Sequence, residues 1–406
     1  MTLIMKALAR LRSGPLPIYV TVAIMFAVMA ARGLALPLYA DQVGANRAQI
    51  GLLFTVFTVA GGVLSIPAGV LSDRFGRRQL VLYSILLAGV TQVAAAFTTN
   101  VAFLFVLQGV GGIAAGATQT ALMASLADSV PIHRMGRAMG WFTLGMQTGF
   151  LVGPAVAGIL LRWLNLAEDL ALTALPLVAA AALAFIGVHK GHRSQERVRF
   201  SAAIQALVRR PGFYAVSIAL LAGTMVWGTY QAYIPIFGKR GLGLTGTEIG
   251  YLLAIQALSN GLSRVPAGRL LDRIESKGPV VAGSIAVFAL GIALLPHLHG
   301  FWGPVVLLIV AVPFIATAFI AIGIVFAQLA TAESRGVAMG VYSTVLFVGL
   351  GLGPAVFAPL IQGQGFAAGF TACAATGIVL SGLSLVARLE PVRRRLRETV
   401  VFPPTP

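Results

Sequence analysis

Two arginines, Arg32 and Arg264, lie inside long apolar runs of this 406-residue sequence. A cation surrounded by hydrocarbon costs at least about 2.5 kcal/mol, so each guanidinium needs a partner. Arg32 precedes Asp41 by nine residues and either pairs with it or holds an anionic group of a ligand, and the sequence favours neither. For Arg264 we expect an extended side chain that reaches the aqueous boundary, or a pair with Asp272 two turns further on.

Further polar and aromatic side chains recur at helical spacing in these apolar runs. Residues three or four positions apart share one face of a helix. As a set they predict the walls of a cleft for an amphipathic ligand with few fixed charges, although for any single one the sequence favours an ordinary contact between helices. The candidate cleft residues are Arg32, Gln108, Gln119, Trp227, Tyr230, Gln231, Gln256 and Asn260.

Residues for covalent or metal chemistry are sparse. The five histidines, at positions 133, 189, 192, 297 and 299, fall in loops or at helix ends without a matching pair of acids. The single Cys373 excludes an internal disulfide, and a phosphate-binding loop is absent from the sequence. We therefore predict no enzyme activity, no catalytic residue, no metal and no cofactor.

The composition assigns the chain to the membrane. Hydrophobic residues make up 58% of it and charged residues 10%, far too apolar for a surface in water. Apolar runs of about 20 residues are long enough to cross the hydrocarbon core as helices, and the alternation of a membrane β-barrel is missing. We predict an all-α membrane protein with twelve transmembrane helices, near residues 17–40, 47–72, 79–98, 101–127, 135–162, 169–188, 212–238, 246–271, 279–297, 302–331, 335–361 and 365–387.

The basic residues fix the predicted topology. The formal net charge is +17, and Lys and Arg concentrate in alternate connections between the predicted helices, in the segment 190–210 and at both ends. The opposite side holds only Arg47, Arg162, Lys239 and Arg240. By the positive-inside rule, both termini and the middle segment are cytoplasmic in a multi-pass protein of the cell membrane. The same distribution argues against nucleic acid as a partner.

The two halves of the sequence repeat one another. Residues 65–74 read SIPAGVLSDR and residues 264–273 read RVPAGRLLDR, and the segments that begin at Gly136 and Gly336 also match. A parallel repeat of six helices predicts two pseudo-symmetric bundles with a cleft between them at mid-membrane. We predict an N-terminal bundle at 1–188, a cytoplasmic linker at 189–211 and a C-terminal bundle with a basic cytoplasmic tail at 212–406.

The segment from Gly69 to Arg78, GVLSDRFGRR, resembles the signature between helices two and three of the major facilitator superfamily. The resemblance, which covers almost the whole chain, implies transport by rocker-switch alternating access. It also implies that the Asp73 carboxylate docks on the start of helix eleven, near Arg335, a favourable place for an anion. The predicted conformational switch comprises Gly69, Asp73, Arg74, Gly76, Arg77 and Arg78, with Asp272 and Arg273 in the second repeat, Asp272 addressing the start of helix five.

A glycine-proline pattern in helix five resembles a motif of the family's antiporters, which are largely exporters, with Ala157 where a glycine is usual. Helix eleven repeats the pattern, so it is also compatible with symmetry alone. Small residues allow close helix contact, and we predict a tight seam between the bundles. Its residues are Gly149, Gly153 and Pro154 in helix five and Gly349, Gly353 and Pro354 in helix eleven.

The sequence leaves the coupling ion open. Gln108-Gly109-Val-Gly111 resembles the end of a second antiporter motif, but Phe105 occupies the position of its arginine, which in the family is associated with proton coupling. We also expect every Asp and Glu at a helix end or in a loop. Coupling to protons, coupling through a bound anion and uncoupled transport all remain compatible with these residues.

The predicted function is a monomeric secondary active transporter that exports small amphipathic molecules, such as drugs or metabolites, with membrane lipid around it. One alternative is uptake, exchange or facilitated diffusion of an organic anion or a lipid-like compound, which Arg32 would suit. The other alternative is a non-transporting sensor of the same fold.

Replacing Asp73 with Asn removes the charge that the resemblance assigns to closure of the cytoplasmic face. We expect Asp73→Asn to shift the population towards the inward-open state and to raise the reactivity of cysteines placed in the cytoplasmic cavity. Unchanged reactivity of those cysteines would contradict the assigned role.

Overall fold

The structure is a computed structural model of the chain. It describes residues 15–131, 134–188, 205, 207–329 and 335–399, and gives the backbone alone for 64–75, 136, 335–338 and 387–399. Within these residues the chain is all helix, with no strand. Most of the predicted linker lies outside the described part.

Thirteen α-helices make up the described chain, with one turn of 3-10 helix at Leu295–His297. A backbone in lipid must satisfy its own hydrogen bonds, which is why the apolar runs are helical throughout. The helices are α1 (Leu16–Gln42), α2 (Arg47–Phe75), α3 (Arg77–Ala96), α4 (Val101–Ser129), α5 (Met135–Leu160), α6 (Leu166–Leu172), α7 (Pro176–Gly187), α8 (Phe213–Arg240), α9 (Gly246–Arg273), α10 (Lys277–Leu294), α11 (Trp302–Leu329), α12 (Arg335–Gln364) and α13 (Phe366–Thr399).

Two short helices, α6 and α7, together form the sixth predicted span. Pro176 begins α7, where its missing N–H is tolerated. The sequence predicts one helix across residues 169–188, and the structure breaks it at 173–175. The other helices begin within a few residues of their predicted positions, and α8 to α13 are the predicted spans seven to twelve.

Ten segments of the described residues are long and apolar enough to cross a membrane. The remaining two predicted spans are α2, of which residues 47–63 form a shorter apolar stretch, and α9, which carries Glu248, Arg264, Arg269, Asp272 and Arg273. These charges lower the hydropathy of α9, although it packs among the other helices. Together the segments form the predicted twelve-span bundle.

Helix packing repeats between the two halves of the chain. In the first half α1 packs on α5 and α4 packs on both α2 and α3, and in the second half α8 packs on α12 and α11 packs on both α9 and α10. The halves meet mainly through two equivalent pairs, α2 with α12 and α5 with α9. This arrangement confirms the predicted pair of pseudo-symmetric six-helix bundles.

The bundle has two opposite faces. The Asp41 face holds the ends of α1, α5 and α8 and the starts of α2 and α9. The basic face lies at the opposite ends of these helices, where most Lys and Arg residues are placed.

The glycines of α5 and α12 differ from the predicted seam between bundles. A Cβ on Gly149 would lie 2.6 Å from the Ala23 carbonyl oxygen of α1, and Gly153 packs on Ala27 of the same helix. Gly349 and Gly353 likewise face α8, where a Cβ on Gly353 would lie 2.6 Å from Thr229 Oγ1. These four glycines therefore join helices within each half, because they point away from the partner bundle.

The contact between the bundles uses neighbouring positions instead. A Cβ on Gly158 of α5 would lie 2.9 Å from the Cα of Gly250 on α9, and a Cβ on Gly250 would lie 2.5 Å from the Pro154 carbonyl oxygen. Pro154 thus lies between the halves as predicted, whereas Pro354 is buried within α12. On the α2–α12 pair, Thr55 donates its hydroxyl to the Gly351 carbonyl oxygen at 2.8 Å.

We expect Gly149→Val to destabilise the protein, because its side chain would collide with the backbone of α1, and overpacking of this kind costs roughly 1–3 kcal/mol. Gly140→Val on the same helix is the matched control, since a Cβ at position 140 would meet nothing within 4 Å. Thermal unfolding of the two purified variants in detergent measures the difference. Equal melting temperatures would contradict the packing described for α5.

Candidate binding site

A cavity of about 300 Å³ lies between the two halves. The first half contributes α1, α2, α4 and α5, and the second half contributes α8, α9, α11 and α12. Its polar lining consists of Arg32, Thr58, Gln108, Gln147, Gln231, Gln256, Asn260 and Arg264. With Trp227, which also lines the cavity, six of the eight candidate cleft residues lie around one space.

Arg32 is the most deeply buried charge of this cavity, with 6% of its surface exposed. Its Nη2 donates a hydrogen bond to Gln108 Oε1 of α4, and its guanidinium lies over the ring of Phe57, 5.2 Å from the centroid. Gly111 makes room for this arrangement, since a Cβ there would lie 2.7 Å from Nη1. Among the described residues, Nε has no hydrogen-bond partner and the guanidinium has no carboxylate.

The second half contributes a hydrogen-bonded polar cluster on α9. Asn260 Oδ1 accepts from Gln147 Nε2 of α5 at 3.0 Å and from Arg264 Nε at 3.2 Å. Gln256 Oε1 accepts from the Tyr230 hydroxyl at 3.2 Å. The Gln147–Asn260 bond joins the two halves directly at the cavity.

Arg264 differs from its predicted role. The sequence predicts that it reaches the aqueous boundary or pairs with Asp272, and it instead lines the cavity and binds Asn260. Asp272 is exposed and makes no hydrogen bond or ion pair with any described side chain. Asn260, one turn before Arg264 on the same face of α9, is a nearer partner than Asp272, which lies two turns after it.

Two of the candidate cleft residues do not line the cavity. Gln119 is half-buried on α4, about three turns, or roughly 16 Å, beyond Gln108 along the same helix. Tyr230 is fully buried behind the wall, where it supports Gln256 and packs edge-on against Phe288.

Aromatic rings form much of the apolar wall and were not predicted. Phe54, Phe57 and Phe150 line the first half of the cavity, and Trp227, Phe319 and Phe347 line the second half. Of these only Trp227 was a candidate, because no sequence signal separates a phenylalanine that faces the cavity from one that faces lipid. Gln147, by contrast, is an isolated amide in an apolar run and could have been found by the argument that identified Gln108.

The cavity is closed towards the Asp41 face. Asp41, with 7% of its side chain exposed, accepts from two nitrogens of Arg240 at the end of α8, Nη2 at 2.6 Å and Nε at 3.2 Å. Lys239 Nζ lies 3.8 Å from the same carboxylate. Asp41 therefore pairs with the second half of the chain and not with Arg32.

Further contacts between the halves reinforce this closure. Thr247 donates its hydroxyl to the Gly158 carbonyl oxygen at 2.6 Å, and Arg162 donates to the Tyr251 hydroxyl at 3.2 Å. The Arg47 guanidinium lies 4.9 Å from the ring centroid of Phe366. All of these contacts lie near the Asp41 face, beyond the middle of the helices that form the cavity.

Part of the predicted conformational switch is visible. Gly76 joins α2 to α3 with φ of 96°, a left-handed conformation that glycine adopts without strain. Arg77 forms an ion pair with Asp128 at the end of α4, and the Arg78 guanidinium lies 3.6 Å from the ring centroid of Phe185. Both arginines are therefore held within the first half.

The rest of the switch is less complete. Only the backbone of Gly69, Asp73, Arg74 and the start of α12 is described, so the predicted Asp73 contact stays a prediction. Arg273, like Asp272, is exposed in the last turn of α9.

One acid at a helix end is buried. Asp169 lies in the first turn of the short helix α6, a position that agrees with the expectation for the acids, and its side chain is fully buried. Neither of its carboxylate oxygens has a hydrogen-bond partner in the described part of the chain. Thr173, which follows α6, donates its hydroxyl to the Asp169 backbone carbonyl oxygen at 2.6 Å, and accepts from Gln92 Nε2 of α3 at 3.1 Å.

Comparison with known proteins assigns this fold and site to a family. The sequence model of the Major Facilitator Superfamily matches residues 18–354 and 239–403. Quinolone resistance protein NorA of Staphylococcus aureus is 22% identical over 369 residues, 89% of this chain and 93% of that protein. Multidrug resistance protein 1 of Bacillus subtilis is 22% identical over 338 residues, 81% of this chain and 84% of that protein.

The fold has counterparts among solved structures. The crystal structure of the nucleoside transporter NupG superposes with a TM-score of 0.78 at 14% identity, and covers 92% of this chain and 99% of that one. The chain therefore belongs to the Major Facilitator Superfamily and is a multi-pass membrane transporter rather than an enzyme.

Proposed function

We propose that this transporter exports small amphipathic molecules by rocker-switch alternating access. The observation that carries the proposal is a cavity built from both halves and closed on one face by contacts between those same halves. Breaking these contacts while forming others on the opposite face would expose the same cavity to the other side. The aromatic walls suit an apolar body, and the amides and arginines suit a polar group.

The sealed Asp41 face supports an inward-open assignment for this conformation. The positive-inside rule places the basic face in the cytoplasm, and with it both termini, in the cell membrane. Asp272 is exposed and makes no ion pair with the described residues, which is consistent with an open cytoplasmic side, because its expected partner, the start of α5, belongs to the other half. We propose a monomer surrounded by lipid.

Export is favoured by two relatives whose names describe them as resistance proteins, one for quinolones and one for multiple drugs. The glycine-proline pattern of α5, which resembles that of the family's antiporters, agrees with this direction. Protons are the coupling ion that we propose, with Asp41 and the buried Asp169 as the acids to examine. Neither acid lines the cavity, so coupling would act through helix movement and not through contact with the substrate.

Purified protein in liposomes tests transport. We expect an amphipathic dye loaded inside the vesicles, or added outside, to move faster than in empty liposomes, and an imposed pH gradient to accelerate that movement. A rate equal to that of empty liposomes, in spite of measurable ligand binding, would contradict transport and favour a sensor. Transport that ignores the pH gradient would contradict proton coupling alone.

The Asp41–Arg240 pair should stabilise closure of the Asp41 face. Since the pair is bidentate and only partly exposed, we expect Asp41→Asn to cost about 1 kcal/mol of closure, a several-fold shift in population. The measurement is the reactivity of Leu36→Cys, a cavity position on α1, towards an impermeant maleimide added at that face, with Cys373 replaced by Ala.

The charge-exchanged double variant, Asp41→Arg with Arg240→Asp, provides the control. It should restore part of the protection, because the same two positions again hold opposite charges. Protection unchanged in Asp41→Asn, or no recovery in the exchanged protein, would remove the pair from the closing mechanism.

A further inference from the structure

The charges of the cavity are all of one sign. Arg32 and Arg264 line it, and no aspartate or glutamate does among the described residues. A buried cation without a counter-charge is costly in a surrounding of low dielectric constant. The cavity is therefore an electrostatically unfavourable place for a cationic molecule and a favourable one for an anion.

Arg32 has unused capacity to bind. A guanidinium offers five N–H donors, and Gln108 accepts from one terminal nitrogen while Nε lacks a partner within the described chain. Gln108 and the Phe57 ring hold the group in place without neutralising it. A carboxylate or sulfonate in the cavity would supply both the missing acceptor and the missing negative charge.

The two arginines lie at different depths. Arg32 is nine residues from the Asp41 end of α1, and Arg264 is 18 residues from the Gly246 start of α9. The difference corresponds to roughly 13 Å along the membrane normal at 1.5 Å per residue. An anion arriving from the basic face would meet Arg264 first and Arg32 at the closed end of the cavity.

The rest of the lining defines the body of the ligand. Six aromatic rings from both halves surround the cavity, whose volume of about 300 Å³ accommodates a fused aromatic system with a short polar arm. Aromatic faces gain from burial and from stacking against a flat ligand. The geometry thus requires an apolar, preferably aromatic, body next to one acidic group.

We propose that the cavity is a binding site for amphipathic organic anions, with the acidic group on Arg32 and the apolar body between the aromatic walls. The biological role of this site rests on the proposed transport function, whereas the binding of an anion does not depend on transport. Arg264 acts as the second contact on the way to Arg32, released from Asn260 as the anion passes.

Three probes of one skeleton test the charge preference: 1-naphthylacetate, the neutral 1-naphthylacetamide and the cationic 2-(1-naphthyl)ethylammonium. Equilibrium binding of the radiolabelled probes to the purified full chain in detergent gives three affinities. We expect the anion to bind about tenfold tighter than the amide, a difference of roughly 1.4 kcal/mol, and the ammonium to bind weakest. If the ammonium binds tightest, or if the anion does not bind, the result with the unmodified protein alone would overturn the proposal.

Variants then assign the contact to Arg32. Arg32→Gln should lower anion affinity about tenfold and leave amide affinity within about twofold, while Arg32→Lys should retain an intermediate preference. Arg209→Gln, an exposed arginine outside the cavity, is the matched control and should change neither affinity. An anion preference that survives in a folded Arg32→Gln protein would overturn the assignment to Arg32.

Flux of the same probes in liposomes separates this proposal from the transport function. If the anion binds at Arg32 but does not cross the membrane, the binding site stands and transport fails. If the amide or the ammonium is transported in preference to the anion, transport stands and the anion site is wrong.

Discussion

The structure depends on close contact between helices of opposite halves at two equivalent places, α2 against α12 and α5 against α9. In lipid, helix association gains little from the hydrophobic effect and relies on packing and on hydrogen bonds between helices. Gly158 and Gly250 bring the backbones of α5 and α9 together, and Thr55 bonds across the other pair. These contacts between the halves use residues other than the glycines that join helices within each half.

Each half, by contrast, is built to stay intact. Gly149 and Gly153 bring α5 against α1, and Gly349 and Gly353 do the same for α12 and α8. Arg77 and Arg78 add an ion pair and a ring contact inside the first half. The proposed rocking motion would change the contacts between the halves while these contacts within each half stay in place. In the proposed mechanism the Asp41–Arg240 pair, at the rim, stabilises closure of the Asp41 face.

Much of this was accessible from the sequence. Hydropathy and the repeat predicted twelve spans and two halves, and helical spacing grouped Gln108, Trp227, Gln231, Gln256 and Asn260 with Arg32. This grouping was possible because polar side chains in lipid-spanning helices are costly in contact with lipid and therefore face the interior of the bundle. The orientation of glycines could not be predicted, because Gly149 and Gly158 differ by two and a half turns of one helix and therefore face different neighbours. The partners of two charged residues were also predicted wrongly, because they depend on how the helices pack. Arg264 binds Asn260 on its own helix, and Asp41 binds Arg240 of the other half.

The central claim is that the two faces open and close in opposition, and interspin distances measure it directly. Thr99 with His299 reports on the Asp41 face and Ser129 with Ser276 on the basic face, and all four positions are exposed. Spin labels on each pair, in the protein without Cys373, give the two distance distributions by double electron–electron resonance, with and without a bound probe and across pH. The account predicts that whenever the distance at one face lengthens, the distance at the other shortens. Distances that stay fixed under every condition, or that lengthen and shorten together, would contradict it.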